Sequence, residues 1–194
     1  MFPNISYFCY TRDIPPLGYD LSGAVMSMKI LLPMAERLHM TEKKLAIIAT
    51  KGTLDWGYPP FILASTAAAL GYDTEIFCTF YGLQLLKKEL DLQVSSLGNP
   101  GMPMPMPMPV LLQALPGMQK MMTVMMKKKM KDKGIADLGE LRSLCIEAEV
   151  RLLACQMTVD LFEMDTNDFI DDVDYVGAAS FFEFAGDSDI CLYI

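Results

Sequence analysis

The sequence predicts an α/β fold, with a mostly parallel five-stranded sheet covered on both faces. Three observations carry this. Short apolar runs of strand length recur along residues 44–194, and helical patterns separate them. These runs are continuous rather than alternating, as expected of strands buried on both sides. The chain has 194 residues, 52% of them apolar and 21% charged, which suits one folded domain with a sizeable core.

Each element follows in order. Residues 1–42 read as an N-terminal extension. Asp20 is placed as an N-cap, and Leu21, Val25, Met28 and Leu32 form the apolar face of an amphipathic helix that Pro33 stops or kinks. The α/β domain is expected over 43–194. "KLAIIAT" is its first strand and "KGTLDWGY" a loop. "PPFILASTAAALG" is a helix with proline at its start and Gly71 past its end. "YDTEIFCTF" is a second strand, "GLQLLKKEL" a short helix and "LQVSSLG" a weaker third strand. A Met/Pro-rich insert follows at about 99–133. Its "GMPMPMPMPV" run is read as extended, and its methionine-rich helix ends in lysines. "LGELRSLCIEAEV" is a helix with Leu141, Leu144 and Cys145 on its apolar face. "EVRLLAC" and "DICLYI" are the fourth and fifth strands, with "TVDLFEM" and "GAASFFEFAGDS" as helices between them.

Composition excludes several chemistries. The net charge of −8 argues against a general nucleic-acid binder. One histidine, His39, rules out multi-histidine zinc sites and leaves a single possible base for a serine or cysteine triad. The five cysteines form no CxxC pair, and their odd number and wide spacing fit reduced thiols in a reducing, cytoplasmic setting. No signal peptide is evident. The apolar stretch 21–32 is shorter than the roughly 20 residues a membrane helix needs, so no stable membrane insertion is expected.

The segment "RLLACQMTVD" places Cys155 where a strand ends and a helix begins. In parallel sheets, functional groups collect at this end of the strands. Free N–H groups at a helix start lower a thiol's pKa, and Thr158 is read as capping that helix. A nucleophilic cysteine and a small buried residue remain the two readings of the pattern.

Three stretches carry a resemblance: "KLAIIATKGTLDWGYPPFILASTAAALGYDTEIFCTFYGLQLL", "SSLGNPGMPMPMPMP" and "RLLACQMTVDLF". Together they resemble the DsrE2 branch of the DsrE/DsrF-like sulfur-relay family, over roughly residues 43–194. The resemblance implies a three-layer α/β sandwich in a homo-oligomer, with Cys155 as the sulfur-binding cysteine. The implied activity is cytoplasmic carriage of sulfane sulfur or a thiosulfonate, without a cofactor. The implied partners are a TusA-like sulfur carrier and a rhodanese-like sulfurtransferase.

Further candidates are weighed beside it. Cys145 is either a core cysteine or a second sulfur site or resolving thiol. Cys78 and Cys191 read as core. Lys51, Gly52 and Thr53 form the first strand-to-helix loop and, with Gln156 and Thr158, are the substrate-binding candidates; the alternative is an ordinary tight connection. Asp55 and Trp56 read as site-mouth or surface residues. Met102, Met104, Met106 and Met108 offer a thioether row suited to Cu(I), against an apolar strip that binds no metal. The competing function is a non-catalytic α/β module holding a small ligand or soft metal beneath this segment.

Overall fold

The computed structural model describes residues 43–95 and 117–194. The extension 1–42, with Cys9 and His39, and the Met–Pro run lie outside the described residues. Five strands form one sheet: β1 (Lys44–Ala49), β2 (Asp73–Cys78), β3 (Arg151–Cys155), β4 (Val173–Val176) and β5 (Ile190–Tyr193). Their order is β4-β3-β2-β1-β5, and all four pairings are parallel. Ala49 pairs with Cys78 and Cys78 with Ala154, so the carboxyl ends of β1, β2 and β3 lie side by side.

One face of the sheet carries α1 (Leu54–Ala69), α2 (Met118–Asp132) and α3 (Leu138–Glu147). Alternation sends Ile47, Ile76, Leu152 and Ala154 to this face, where Phe61, Leu85, Met122 and Cys145 meet them. The opposite set, Ala46, Phe77, Leu153 and Cys155, packs against Phe181 and Phe184 of α5 (Ala178–Ala185). Phe77 and Phe181 stack with centroids 4.8 Å apart. The helices thus flank the sheet in three layers.

Near the amino ends of the strands, this second face buries Glu75, which is 2% exposed. Arg151 forms an ion pair with it across β3. Burial raises the Glu75 carboxyl pKa, against the pull of the Arg151 charge.

The expected third strand is not formed among the described residues. "LQVSSLG" was assigned to a strand, yet residues 92–95 have no ladder partner. Leu92 and Val94 are buried, but side chains bind this backbone instead. The Val94 N–H donates to Thr123 Oγ1 at 3.0 Å, and the Ser95 N–H to Asp55 Oδ1 at 2.8 Å. The missing strand is "VDYV", a short edge element in an Asp-rich stretch that strand propensity disfavours.

Helix α1 also starts earlier than expected, taking in part of the predicted loop. Thr53 is its N-cap, and Pro59 and Pro60 lie inside it. The Gly57 N–H closes the first turn on the Thr53 carbonyl, while the Leu54 N–H finds the Gln93 carbonyl. At its far end Gly71 takes φ +81°, and a Schellman cap forms from the Gly71 and Tyr72 N–H groups to Ala68 and Ala67. "GLQLLKKEL" becomes a 3-10 helix over Phe80–Leu86. Leu144, expected on the apolar face of α3, is 49% exposed.

Candidate functional site

Cys155 is the last residue of β3 and the N-cap of α4 (Gln156–Leu161). It is 4% exposed. Thr158 does not cap that helix as expected. It is fully buried and turns toward the end of β2, where its Oγ1 lies 3.2 Å from Thr79 Oγ1 and accepts from the Phe80 N–H at 3.4 Å. Two adjacent strand ends are therefore tied together beside the sulfur.

This setting governs the thiol. Burial pushes the Cys155 pKa up. The Thr158 hydroxyl and N–H, the Thr79 hydroxyl and the Met157 N–H oppose burial by favouring the thiolate. The balance lies below an ordinary thiol. The other described cysteines differ. Cys78 has no such donors, and burial drives it up to about 12. Cys145 is wholly buried in the opposite layer, donates to the Phe61 carbonyl at 3.3 Å and is pushed up to about 11. Cys191, read as core, is instead exposed on the edge strand β5.

The remaining candidates separate. Gln156 follows Cys155 and is exposed, with its Nε2 donating to Asp160 Oδ1 at 2.7 Å. Lys51, Gly52 and Thr53 belong to the loop after β1, which packs on the loop after β2. A side chain at Gly52 would collide with the Tyr81 carbonyl, and one at Gly82 with the Ala49 carbonyl. Gly52 thus permits a close approach of two loops. Lys51 lays its Nζ 3.0 Å from the Trp56 ring centroid. Desolvation lowers its pKa, opposed by the Asp55 charge. The Thr53 hydroxyl is buried and has no hydrogen-bond partner among the described residues. Asp55 holds the backbone at residue 95: its two oxygens accept from the Ser95 N–H and hydroxyl, at 2.8 and 2.7 Å.

Sequence reasoning missed Thr79, Phe80, Tyr81 and Phe162. Thr79 could have been found by aligning strand ends, since it stands one residue past the Cys78–Ala154 pair, beside Cys155. The three aromatic residues gather only in the folded chain. Phe162 lies 6.3 Å from Phe80 and 6.0 Å from Tyr81, centroid to centroid.

The fold and site define a class: an all-parallel α/β domain with a thiolate-favouring cysteine at the carboxyl end of a central strand. A model of the DsrE/DsrF/DrsH-like family matches residues 41–193, and the chain belongs to that family. It is 72% identical over 159 residues to the Sulfur carrier protein DsrE2 of Allochromatium vinosum, covering 80% of this chain and all of that protein. This places it in the DsrE2 branch. The Uncharacterized protein YrkE of Bacillus subtilis is 31% identical over 160 residues, again 80% of this chain and all of that one. Among solved structures, the ychN protein from E. coli aligns over 78% of this chain and 99% of its own, with 11% identity and a TM-score of 0.45.

Proposed function

We propose that this protein is a sulfur carrier that holds sulfane sulfur on Cys155 and passes it to a partner thiol. The observation that carries the reading is the environment of Cys155, where hydroxyl and N–H donors outweigh burial and favour the thiolate. The 72% identity to a protein named a sulfur carrier supports it.

In the loading step, the Cys155 thiolate attacks the outer sulfur of a persulfide donor. A new S–S bond forms, the donor's S–S bond breaks and the donor leaves as a thiolate. With thiosulfate the leaving group is sulfite. With tetrathionate, attack on an inner sulfur releases thiosulfate and leaves a thiosulfonate-type adduct, Cys155–S–S–SO3−. In the unloading step an acceptor thiolate attacks the outer sulfur, and Cys155 departs as thiolate. Electrons balance in each exchange, so no cofactor is needed. The low pKa of Cys155 makes it a good leaving group. The persulfide also carries the transferable sulfur about 2 Å further out than the buried Sγ.

Gln156 and Thr158 are proposed to flank the adduct, with Lys51, Gly52 and Thr53 forming the neighbouring loop. Cys145 takes no direct part in this scheme, because it lies in the opposite layer with a raised pKa. The partners are a TusA-like carrier and a rhodanese-like sulfurtransferase, and the setting is the cytoplasm.

The test is intact-mass analysis and peptide mapping after incubation with thiosulfate, tetrathionate or glutathione persulfide. Cys191 is accessible, so the test belongs in a Cys191→Ser background. A sulfur adduct is expected on the Cys155 peptide, and Cys155→Ser is expected to abolish it. Sulfur accepted and passed on at an unchanged rate by Cys155→Ser would refute the mechanism. An adduct lost only in Cys145→Ser would move the nucleophile to α3.

A further inference from the structure

Next to Cys155 the surface is apolar. Phe80, Tyr81, Met157, Leu161 and Phe162 are 45%, 67%, 65%, 61% and 42% exposed. Phe80 and Tyr81 come from the end of β2, the other three from α4 and its last turn. Phe162 contacts both rings of the β2 loop, so these three aromatic side chains make one platform, and Met157 and Leu161 are exposed on the helix that carries Phe162. The platform's backbone is unusual as well. Phe80 stands at φ +49°, a region bulky residues avoid, and its N–H is held by the same Thr158 that faces Cys155.

The surroundings are acidic. Asp160 and Glu163 flank Leu161 and Phe162, both are exposed, and among the described residues neither forms an ion pair. From Leu152 to Ile194 the sequence contains no lysine or arginine. An apolar centre whose α4 side carries only carboxylates fits a partner with basic residues on the matching side; Lys51 lies on another flank, in the loop packed against Tyr81. A symmetric contact with a second copy would set these carboxylates against their own equivalents, which is unfavourable.

We propose that the aromatic platform beside Cys155 is the docking surface for a protein partner whose reactive thiol sits in an apolar patch bordered by lysine and arginine. This rests on the sulfur-carrier reading and names the kind of protein that approaches the site. Apolar contact seats the partner, and the acidic rim steers and selects it.

Two synthetic heptapeptides serve as probes. Each has one cysteine between two leucines, and the other four positions are all lysine in one and all glutamate in the other. The full-length protein, in the Cys191→Ser background, is loaded with thiosulfate, and transfer of sulfur to each peptide is followed by mass. The cationic peptide is expected to accept about tenfold faster or more at low salt, with the difference shrinking at high salt. Asp160→Lys with Glu163→Lys should slow the cationic peptide and speed the acidic one. Comparing one peptide across the two proteins removes the effect of the peptide's own thiol acidity. Tyr81→Ala should slow both peptides. Loading by thiosulfate should be unchanged in Tyr81→Ala, and the charge-reversed protein is compared at equal sulfur load, because its added lysines also attract the thiosulfate dianion. Failure of the wild type to load would defeat the sulfur-carrier reading. Normal loading followed by transfer that ignores the rim charges would overturn the docking proposal alone. So would a change in the native mass of the charge-reversed protein, which would assign the platform to self-association.

Discussion

Thr158 has no exposed surface, and its hydroxyl serves two neighbours. It accepts from the Phe80 N–H and favours the Cys155 thiolate. Replacing it with valine keeps the volume and removes both functions. The sign of the effect follows from the causes: burial alone raises the thiol, so losing a donor leaves burial less opposed. Cys155 in Thr158→Val or Thr79→Val should therefore need a higher pH to ionise. Iodoacetamide labelling of Cys155 should follow a pH profile displaced upward, and its rate at neutral pH should fall about threefold or more. A profile identical to wild type would show that these hydroxyls do not set the thiol's acidity. The junction of strand and helix at Cys155 was legible from "RLLACQMTVD". The role of Thr158 was not, because a threonine shortly after a strand reads locally as a cap. Its true partner is 79 residues away in sequence.

Elements were readable where one physical signal dominated. Gly71 marked the end of α1 because a left-handed residue is needed there. α3 opens on a capping box of Asp137 and Glu140, with hydrogen bonds of 2.8 and 2.9 Å, a signal the sequence reading did not use. Reading failed where tertiary partners replaced local ones. Residues 92–95 mimic a strand because they are apolar and buried, while β4 hides among aspartates. Helix ends show the same limit. The turn after α3 is a Schellman cap built on Glu149 at φ +60°, with its N–H on Ile146 and that of Val150 on Cys145. Nothing in a glutamate announces this. The strain is relievable: Glu149→Gly should raise stability by about 0.5–1 kcal/mol, the left-handed penalty less glycine's extra chain entropy. In thermal unfolding the midpoint should rise by about 2 °C. A lowered midpoint would mean that the Glu149 side chain makes contacts worth more than the strain.

For the whole molecule, the class of fold was clear from the alternation of strand and helix. The strand order was not, because no local pattern states that β5 returns to lie beside β1. We propose that the chain forms a homo-oligomer. Its apolar content and its exposed Phe182 and Tyr193, each 65% exposed, favour assembly. Light scattering at micromolar concentration should give a multiple of 21.6 kDa, and a monomeric mass would count against it. The edge formed by β5 also bears on breathing of the structure. Its residues are mostly exposed, and among the described residues it has a strand neighbour on one side only. Yet Ile194 accepts both the N–H and the hydroxyl of Thr50, at 2.9 and 3.0 Å, and Thr50 leads directly into Lys51 and Gly52. Each time this outermost strand frays, the loop after β1 loses two of its bonds and is held by the Gly82 N–H on the Thr50 carbonyl. Amide exchange along β5 and at Thr50 should therefore proceed together, faster than in β2 and β3, as one cooperative opening at the rim of a rigid sheet.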